Sequence, residues 1–130
     1  MGVSRDDLSE TNATIMLVED NAAFREITRT ILESLNFQVI DFGTAEEALT
    51  VIGDTTPFDL LLSDVSLPGQ LDGHDLAQIA TSARPGLKVV LMSAHADRGG
   101  SGGIIDHNVS AFLRKPHRKA DLVQTLHRLL

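Results

Sequence analysis

The sequence contains no cysteine, no tryptophan and no tyrosine among its 130 residues. Without cysteine the protein can form no disulfide bond, no thiolate metal site and no thiol nucleophile. Without tryptophan and tyrosine it lacks two of the side chains that stack on nucleic-acid bases. These absences exclude disulfide-stapled folds and thiol enzymes, and they argue against recognition of single-stranded nucleic acids.

Basic residues are also few, since 11 Lys and Arg stand against 18 Asp and Glu and give a net charge of -7. A nucleic-acid-binding domain normally has a basic face, so we expect no nucleic-acid partner; protein partners or a bound cation remain compatible. No apolar run approaches the roughly 20 residues that span a bilayer. The first 12 residues are polar and lack the apolar core of a signal peptide. We therefore expect a cytoplasmic protein with no membrane partner.

Five short apolar segments alternate with segments of helical periodicity. The short segments are too brief for typical helices and indicate buried strands; they are residues 13–18, 37–42, 58–63, 87–92 and 109–113. Helices are predicted over residues 21–35, 44–52, 72–83 and 119–130. We predict a tail over residues 1–12 and one domain over residues 13–130.

This alternation predicts an α/β fold, a doubly wound five-stranded parallel sheet with right-handed crossovers. The segment between the fourth and fifth strands, residues 95–108, contains four glycines. Each glycine costs about 1 kcal/mol in a helix interior relative to alanine. We therefore expect the fourth helix to be short or irregular.

Four of the five predicted strands end in polar or charged residues, and the second ends in none. The set consists of three carboxylates, one hydroxyl and one ammonium, from Glu19, Asp20, Asp64, Ser93 and Lys115. Parallel sheets bind ligands beyond the carboxyl ends of their strands. Oxygen ligands without histidine or cysteine favour a hard cation such as Mg²⁺. This set is typical of a site in which a carboxylate attacks a phosphoryl group while cations neutralise its oxygens.

Each residue has a simpler interpretation when it is taken alone. Asp20 could cap the helix that follows it, and Asp64 could be a turn residue before the Pro-Gly pair. Ser93 is compatible with a turn or cap position, and Lys115 with a solvated loop. The occurrence of all four at one sheet edge favours a common site, because the separate interpretations do not predict it.

Four motifs resemble the receiver domain of two-component response regulators, whether stand-alone or part of a hybrid histidine kinase. They are LVED at residues 17–20, LLLSDVSLPG at 60–69, VVLMSAH at 89–95 and AFLRKP at 111–116. The resemblance covers roughly residues 13–130 and implies a flavodoxin-like (βα)5 fold. It implies a signalling switch of a phosphorelay that acts with Mg²⁺ and performs at most its own phosphorylation and dephosphorylation.

The resemblance also implies a role for each site residue. Asp64 would accept a phosphoryl group from a phosphohistidine on a histidine kinase or a histidine phosphotransfer protein. Asp20, Asp64 and the backbone carbonyl of Ser66 would ligate Mg²⁺, and Glu19 would act through a metal-bound water. Ser93 and Lys115 would contact the phosphoryl oxygens, and the peptide bond between Lys115 and Pro116 would be cis.

The resemblance further implies a switch in which Ser93 moves towards the phosphoryl group and Phe112 turns inward. A downstream protein partner would then detect the changed face around the fifth strand. Phe112 could equally be a plain core aromatic. The loop VSLPGQLDG is one residue longer than the commonest family pattern. Ser66 and His95 flank the site, and the other histidines, His74, His107, His117 and His127, are expected at the surface.

Two alternatives remain open from the sequence. One is an interaction domain of the same fold that works without phosphorylation, which the unusual 95–108 segment leaves possible. The other is a small Mg²⁺-dependent aspartyl phosphohydrolase. Such enzymes need a second carboxylate two residues after the nucleophile, where this chain has Ser66, and they usually have a cap insertion.

Overall fold

A computed structural model of the chain describes residues 13–94 and 108–130. The strands are β1 Thr14–Val18, β2 Gln38–Phe42, β3 Leu60–Asp64, β4 Lys88–Ser93 and β5 Ala111–Arg114. The helices, numbered within this part, are α1 Ala22–Ser34, α2 Ala45–Ile52, α3 Gly73–Ala83 and α4 Lys119–Leu129. All strand pairs are parallel in the order β2-β1-β3-β4-β5. The predicted doubly wound five-stranded sheet is therefore confirmed.

The predicted tail over residues 1–12 and most of the glycine-rich segment, residues 95–107, lie outside the described residues. In the part of the chain that the structure describes, no helix is long and apolar enough to cross a membrane. The cytoplasmic location stays a prediction of the sequence.

Side chains alternate between two hydrophobic cores, one on each face of the sheet. The core beneath α2 and α3 takes from the sheet Met16, Val18, Leu61, Val89 and Leu91. The core beneath α1 and α4 takes from the sheet Ile15, Leu17, Leu60, Leu62, Val90, Met92 and Leu113. Because β1, β3 and β4 are covered on both faces, these strands need near-continuous apolar sequences. Fully burying each such side chain contributes about 1.5–3 kcal/mol.

Helices α1, α2 and α3 start at side chains that accept backbone N–H groups. The Asn21 side chain accepts the N–H of Phe24 at 2.9 Å and so caps α1. Thr44 accepts the N–H of Glu47 at 3.1 Å and caps α2. Asp20 is therefore not the cap of α1, and the simpler interpretation of that residue is wrong. Its carboxylate stays available at the sheet edge.

In two helices the apolar spacing includes one residue that the structure leaves exposed. In α1 Ile27, which shares the helical spacing of Phe24 and Ile31, is 57% exposed, whereas Thr28 and Leu32 are buried and Phe24 and Ile31 pack against the core. In α3 Ile79 is 38% exposed, whereas Leu76, Ala77 and Ala80 are buried. Small residues such as threonine and alanine let a helix approach the sheet closely, so the buried stripe is centred on them. Spacing alone could not place that centre.

Gly73, the first residue of α3, lies against the backbone that follows β3. Its N–H donates to the carbonyl of Val65 at 2.8 Å. A Cβ at this position would overlap the carbonyl oxygen of Asp64 and lie 2.9 Å from the Cα of Val65. Gly73 therefore allows α3 to pack directly against the strand end that carries Asp64.

Gly73→Ala should destabilise the protein by about 2 kcal/mol or more, because the added methyl overlaps backbone that cannot move aside cheaply. Gly53→Ala is the matched control. Gly53 has right-handed helical geometry at the end of α2, and a Cβ there would lie 3.5 Å from the Leu49 carbonyl, an ordinary contact. That control should change stability by less than about 1 kcal/mol, in the stabilising direction. Urea unfolding measures both; equal effects would contradict the close approach at Gly73.

Candidate functional site

Three carboxylates converge at the carboxyl edge of the sheet, where β1 and β3 lie side by side. Val18, the last residue of β1, pairs with Ser63, so the residues that follow, Glu19 and Asp64, meet across the two strands. One oxygen from each of Glu19, Asp20 and Asp64 lies within 4.8 Å of the others. Glu19 is fully buried, Asp64 is 7% exposed and Asp20 faces solvent. The cluster is therefore a buried pair of acids with a third at its open side.

Lys115 brings a positive charge to this cluster from the end of β5. Its Nζ donates to Glu19 Oε1 at 2.9 Å and to Asp64 Oδ2 at 3.2 Å. The backbone N–H of Lys115 donates to the Ser93 carbonyl at 2.7 Å, and the Lys115–Pro116 peptide is cis. The Lys115 ammonium also lies 4.4 Å from the ring centre of Phe24, a cation–π contact. Four groups thus hold the end of this side chain and its backbone in place.

Burial and the nearby charges shift the pKa values of Asp64 and Lys115. Burial, reinforced by the negative charge of Glu19, raises the pKa of Asp64 to about 6, and the Lys115 ammonium only partly opposes this. Burial works against the ammonium of Lys115, but its hydrogen bonds to the two acids outweigh that, and its pKa rises. One lysine therefore does not neutralise the cluster by itself.

The donor set fits a hard divalent cation. All three groups offer carboxylate oxygens, the ligand type that Mg²⁺ prefers. A cation among them would offset both the cost of burying the Asp64 charge and its repulsion by Glu19, the two causes that raise the pKa of Asp64. The exposed side chain of Asp20 leaves one side of the cluster open for water or a ligand.

The structure describes three of the other predicted site residues, Ser93, Ser66 and Phe112. Ser93 is buried at the end of β4, one residue beyond Met92, which pairs with Asp64. Ser66 is exposed two residues after Asp64. Phe112 lies half-buried on β5, with its ring centre 6.3 Å from that of His74 on α3. His95 lies outside the described residues.

The long loop after Asp64 is attached to α2 by a residue that the sequence did not single out. The Glu46 carboxylate accepts the N–H of Gln70 at 3.2 Å. Gly69 has φ +93°, and a Cβ there would lie 2.8 Å from Glu46 Oε1. Glycine at this position therefore permits both the left-handed turn and the approach of Glu46.

His117, expected at the surface, is half-buried instead, and its ring packs edge-on against Phe24 at a centroid distance of 5.6 Å. Burial lowers the pKa of His117. Among the described residues, neither ring nitrogen has a hydrogen-bond partner. The imidazole serves as a flat packing surface beside the ring that covers Lys115. A histidine directly after Lys-Pro gives no sequence signal of this role.

Asp64→Asn should be more stable than the wild type at neutral pH in metal-free buffer. A carboxyl group whose folded-state pKa rises from 3.8 to about 6 binds more protons in the folded state. The wild type therefore loses stability as the pH rises from about 4 to about 6, and the loss persists above that range. At about 1.4 kcal/mol per pKa unit, the advantage of the variant is at most about 3 kcal/mol. Urea unfolding from pH 4 to 7.5 measures it.

The control is Asp54→Asn, which should be less stable than the wild type by a nearly constant amount over this pH range. The backbone N–H of Thr56 donates to Asp54 and lowers its pKa. That contribution to stability is present at neutral pH and is lost as the pH falls below the ordinary pKa. A stability difference between Asp64→Asn and wild type that does not change with pH would contradict the burial of a charged Asp64.

The chain matches the family model described as the response regulator receiver domain over residues 15–127. It is 30% identical to the sensor histidine kinase GacS of Pseudomonas protegens over 92% of its own length and 13% of that protein. It is 35% identical to the response regulator protein FleR of Pseudomonas aeruginosa over 76% of its length and 19% of that protein. The chain thus spans less than a fifth of either relative.

Solved structures agree on the fold. The response regulator TrrA of Thermotoga maritima, crystallised in complex with Mg²⁺–BeF, superimposes with a TM-score of 0.80. The match covers 91% of this chain and 99% of that one, at 20% sequence identity. Together with the family match across nearly all described residues, this identifies the chain as a member of the response regulator receiver domain family.

Proposed function

We propose that this receiver domain is a phospho-accepting switch in which Asp64 takes a phosphoryl group from a phosphohistidine. A carboxylate oxygen of Asp64 attacks phosphorus, the phosphorus–nitrogen bond breaks, and the histidine ring leaves with the bonding electron pair and takes up a proton. One observation carries the proposal. Asp64 lies at the end of a buried strand, hydrogen-bonded to Lys115 and within 4.8 Å of two further carboxylates.

Asp20, Asp64 and the backbone carbonyl of Ser66 would hold Mg²⁺, and Glu19 would contact it through water. The ion would supply positive charge opposite the phosphoryl oxygens. The oxygen-only donor set supports this assignment, as does the Mg²⁺ complex of TrrA. Lys115 would pair with an incoming phosphoryl oxygen, and its ion pairs with Glu19 and Asp64 support this role.

The donor would be a histidine kinase or a histidine phosphotransfer protein, and a downstream protein would detect the result. The similarity to a sensor histidine kinase and to a response regulator supports this partner class. Output would depend on Ser93, which would contact the phosphoryl group, and on Phe112, which would change its packing on β5. We place this cycle in the cytoplasm and attribute to the domain no turnover beyond its own phosphorylation and dephosphorylation.

The phosphohydrolase alternative has little support. The side chain two residues after Asp64 is the hydroxyl of Ser66, not the carboxylate that a general acid–base mechanism needs. The alternative of an interaction domain without phosphorylation does not account for an acidic cluster in which burial and the negative charge of Glu19 raise the pKa of Asp64.

A small phosphodonor with Mg²⁺ should label the wild-type protein with a phosphoryl group that is stable in acid and labile in base. Asp64→Asn should abolish the label, and Asp54→Asn, a substitution in the exposed loop before β3, should retain it. Intact-protein mass spectrometry measures the label. Absence of label on the folded, Mg²⁺-loaded wild type would refute the proposal, as would full labelling of Asp64→Asn.

Ser93→Ala should still be labelled at Asp64, but labelling should no longer change the structure of β5. In the wild type, labelling should shift the amide NMR signals around Phe112. In the variant most of that shift should disappear, because alanine has no hydroxyl to contact the phosphoryl group. Ser82→Ala, an exposed position on α3, is the control and should respond as the wild type does. An unchanged response in Ser93→Ala would contradict the coupling role of Ser93.

A further inference from the structure

Arg25 on α1 links the acidic cluster to β2, the one strand that ends in no predicted site residue. Its Nη1 donates to the backbone carbonyl of Glu19 at 2.6 Å. Its Nε pairs with Asp41 Oδ2, on β2, at 3.3 Å. A Cβ at Gly43 would lie 3.2 Å from Nη1, so the glycine after β2 leaves room for the guanidinium. One side chain thus joins the end of β1 to the end of β2.

The carbonyl that Arg25 holds belongs to the peptide bond between Glu19 and Asp20. On its other side, the Glu19 N–H donates to the Phe42 carbonyl at 3.0 Å. The backbone of Glu19 is therefore fixed through both of its polar groups. Rotation of the peptide plane that leads into Asp20 would break the bond to Arg25.

The direction of the Asp20 side chain depends on that plane. Within residues 13–94 and 108–130, the Asp20 carboxylate has no hydrogen bond or ion pair of its own. By contrast, Lys115 and the Asn21 N–H hold the two carboxylate oxygens of Glu19 at 2.9 and 3.0 Å. Glu19 is oriented by its side-chain bonds, whereas among the described residues Asp20 is oriented through its backbone alone.

We propose that Arg25 is a positioning residue for the cation site, with Asp41 as its anchor. It would fix the Glu19–Asp20 peptide so that the exposed carboxylate of Asp20 stays directed at the cluster it shares with Asp64. This inference rests on the proposed function, in which Asp20 and Asp64 hold Mg²⁺. It extends the site to β2, which contributes by supporting a ligand.

Arg29 provides a matched comparison within the same helix. It also pairs with Asp41, through Nη1 and Oδ1 at 3.1 Å, and it pairs with Glu33 at 3.1 Å. Its two ion pairs include no contact with Glu19. Removing Arg29 therefore removes one positive charge from the same helix and one ion pair from Asp41. The contact between Arg25 and the Glu19–Asp20 peptide stays intact.

The test compares Mg²⁺ affinity by calorimetry for wild type, Arg25→Ala, Arg25→Lys and Arg29→Ala. Loss of a group that orients a metal ligand typically weakens binding about 10–100-fold, and we expect about tenfold for Arg25→Ala. Arg25→Lys should recover little, because a single ammonium does not reproduce the two-pronged guanidinium contact. Arg29→Ala should bind within about twofold of wild type.

A second readout needs no metal. In ¹H–¹⁵N NMR spectra of the metal-free protein, Arg25→Ala should shift or broaden the Asp20 amide signal, which reports on the same peptide plane, and Arg29→Ala should leave it unchanged. Asp41→Asn, which retains Arg25 but weakens its anchor, should fall between wild type and Arg25→Ala in both measurements. It also provides the test if Arg25→Ala does not fold.

Three results would overturn the positioning role: wild-type Mg²⁺ affinity in Arg25→Ala, full recovery in Arg25→Lys, or an equal loss in Arg29→Ala. The last two would show that positive charge alone matters. Failure of the wild type itself to bind Mg²⁺ would count against the proposed function. The Asp20 amide signal would still decide whether Arg25 controls the peptide plane.

Discussion

Like-charge repulsion at the carboxyl edge of the sheet is the constraint on which the rest of the site depends. Three carboxylate oxygens lie within 4.8 Å of one another, two of them on buried residues. A flexible loop would relax such an arrangement by moving the charges apart. Adjacent parallel strands cannot, because β1 and β3 are held in register by backbone hydrogen bonds and packed on both faces. The cores therefore serve the chemistry by keeping repelling groups together.

Each of the surrounding residues restricts the movement of one part of that edge. Gly73 lets α3 pack closely against the backbone of Asp64, and Glu46 binds the loop that follows by a hydrogen bond to Gln70. Phe24 covers the ammonium of Lys115, with His117 packed behind it. Arg25 joins the end of β1 to Asp41 on β2. β2 ends in no acid of the cluster, but it supports the site because Asp41 anchors Arg25.

The sequence was sufficient to predict the sheet, because apolar runs that alternate with helical periodicity have few other solutions. It also grouped the acids and Lys115, since parallel strands deliver their ends to one edge; their roles in binding and transfer stay predictions. The sequence could not predict the contacts that depend on how a helix docks on the sheet. The burial of Thr28 in place of Ile27, the inward position of His117 and the Arg25–Asp41 pair all depend on docking angles that spacing does not encode.

The hydrogen bond from Lys115 to Glu19 joins residues that are 96 positions apart in the chain. During synthesis from the N-terminus, Glu19, Asp20 and Asp64 emerge long before the lysine does. A nascent or truncated chain that ends before β5 has the acids without this counter-charge and without the last sheet pairing. Only a chain in which both β1 and β5 have joined the sheet assembles the complete cluster, so the long-range bond makes readiness for signalling coincide with completion of the sheet.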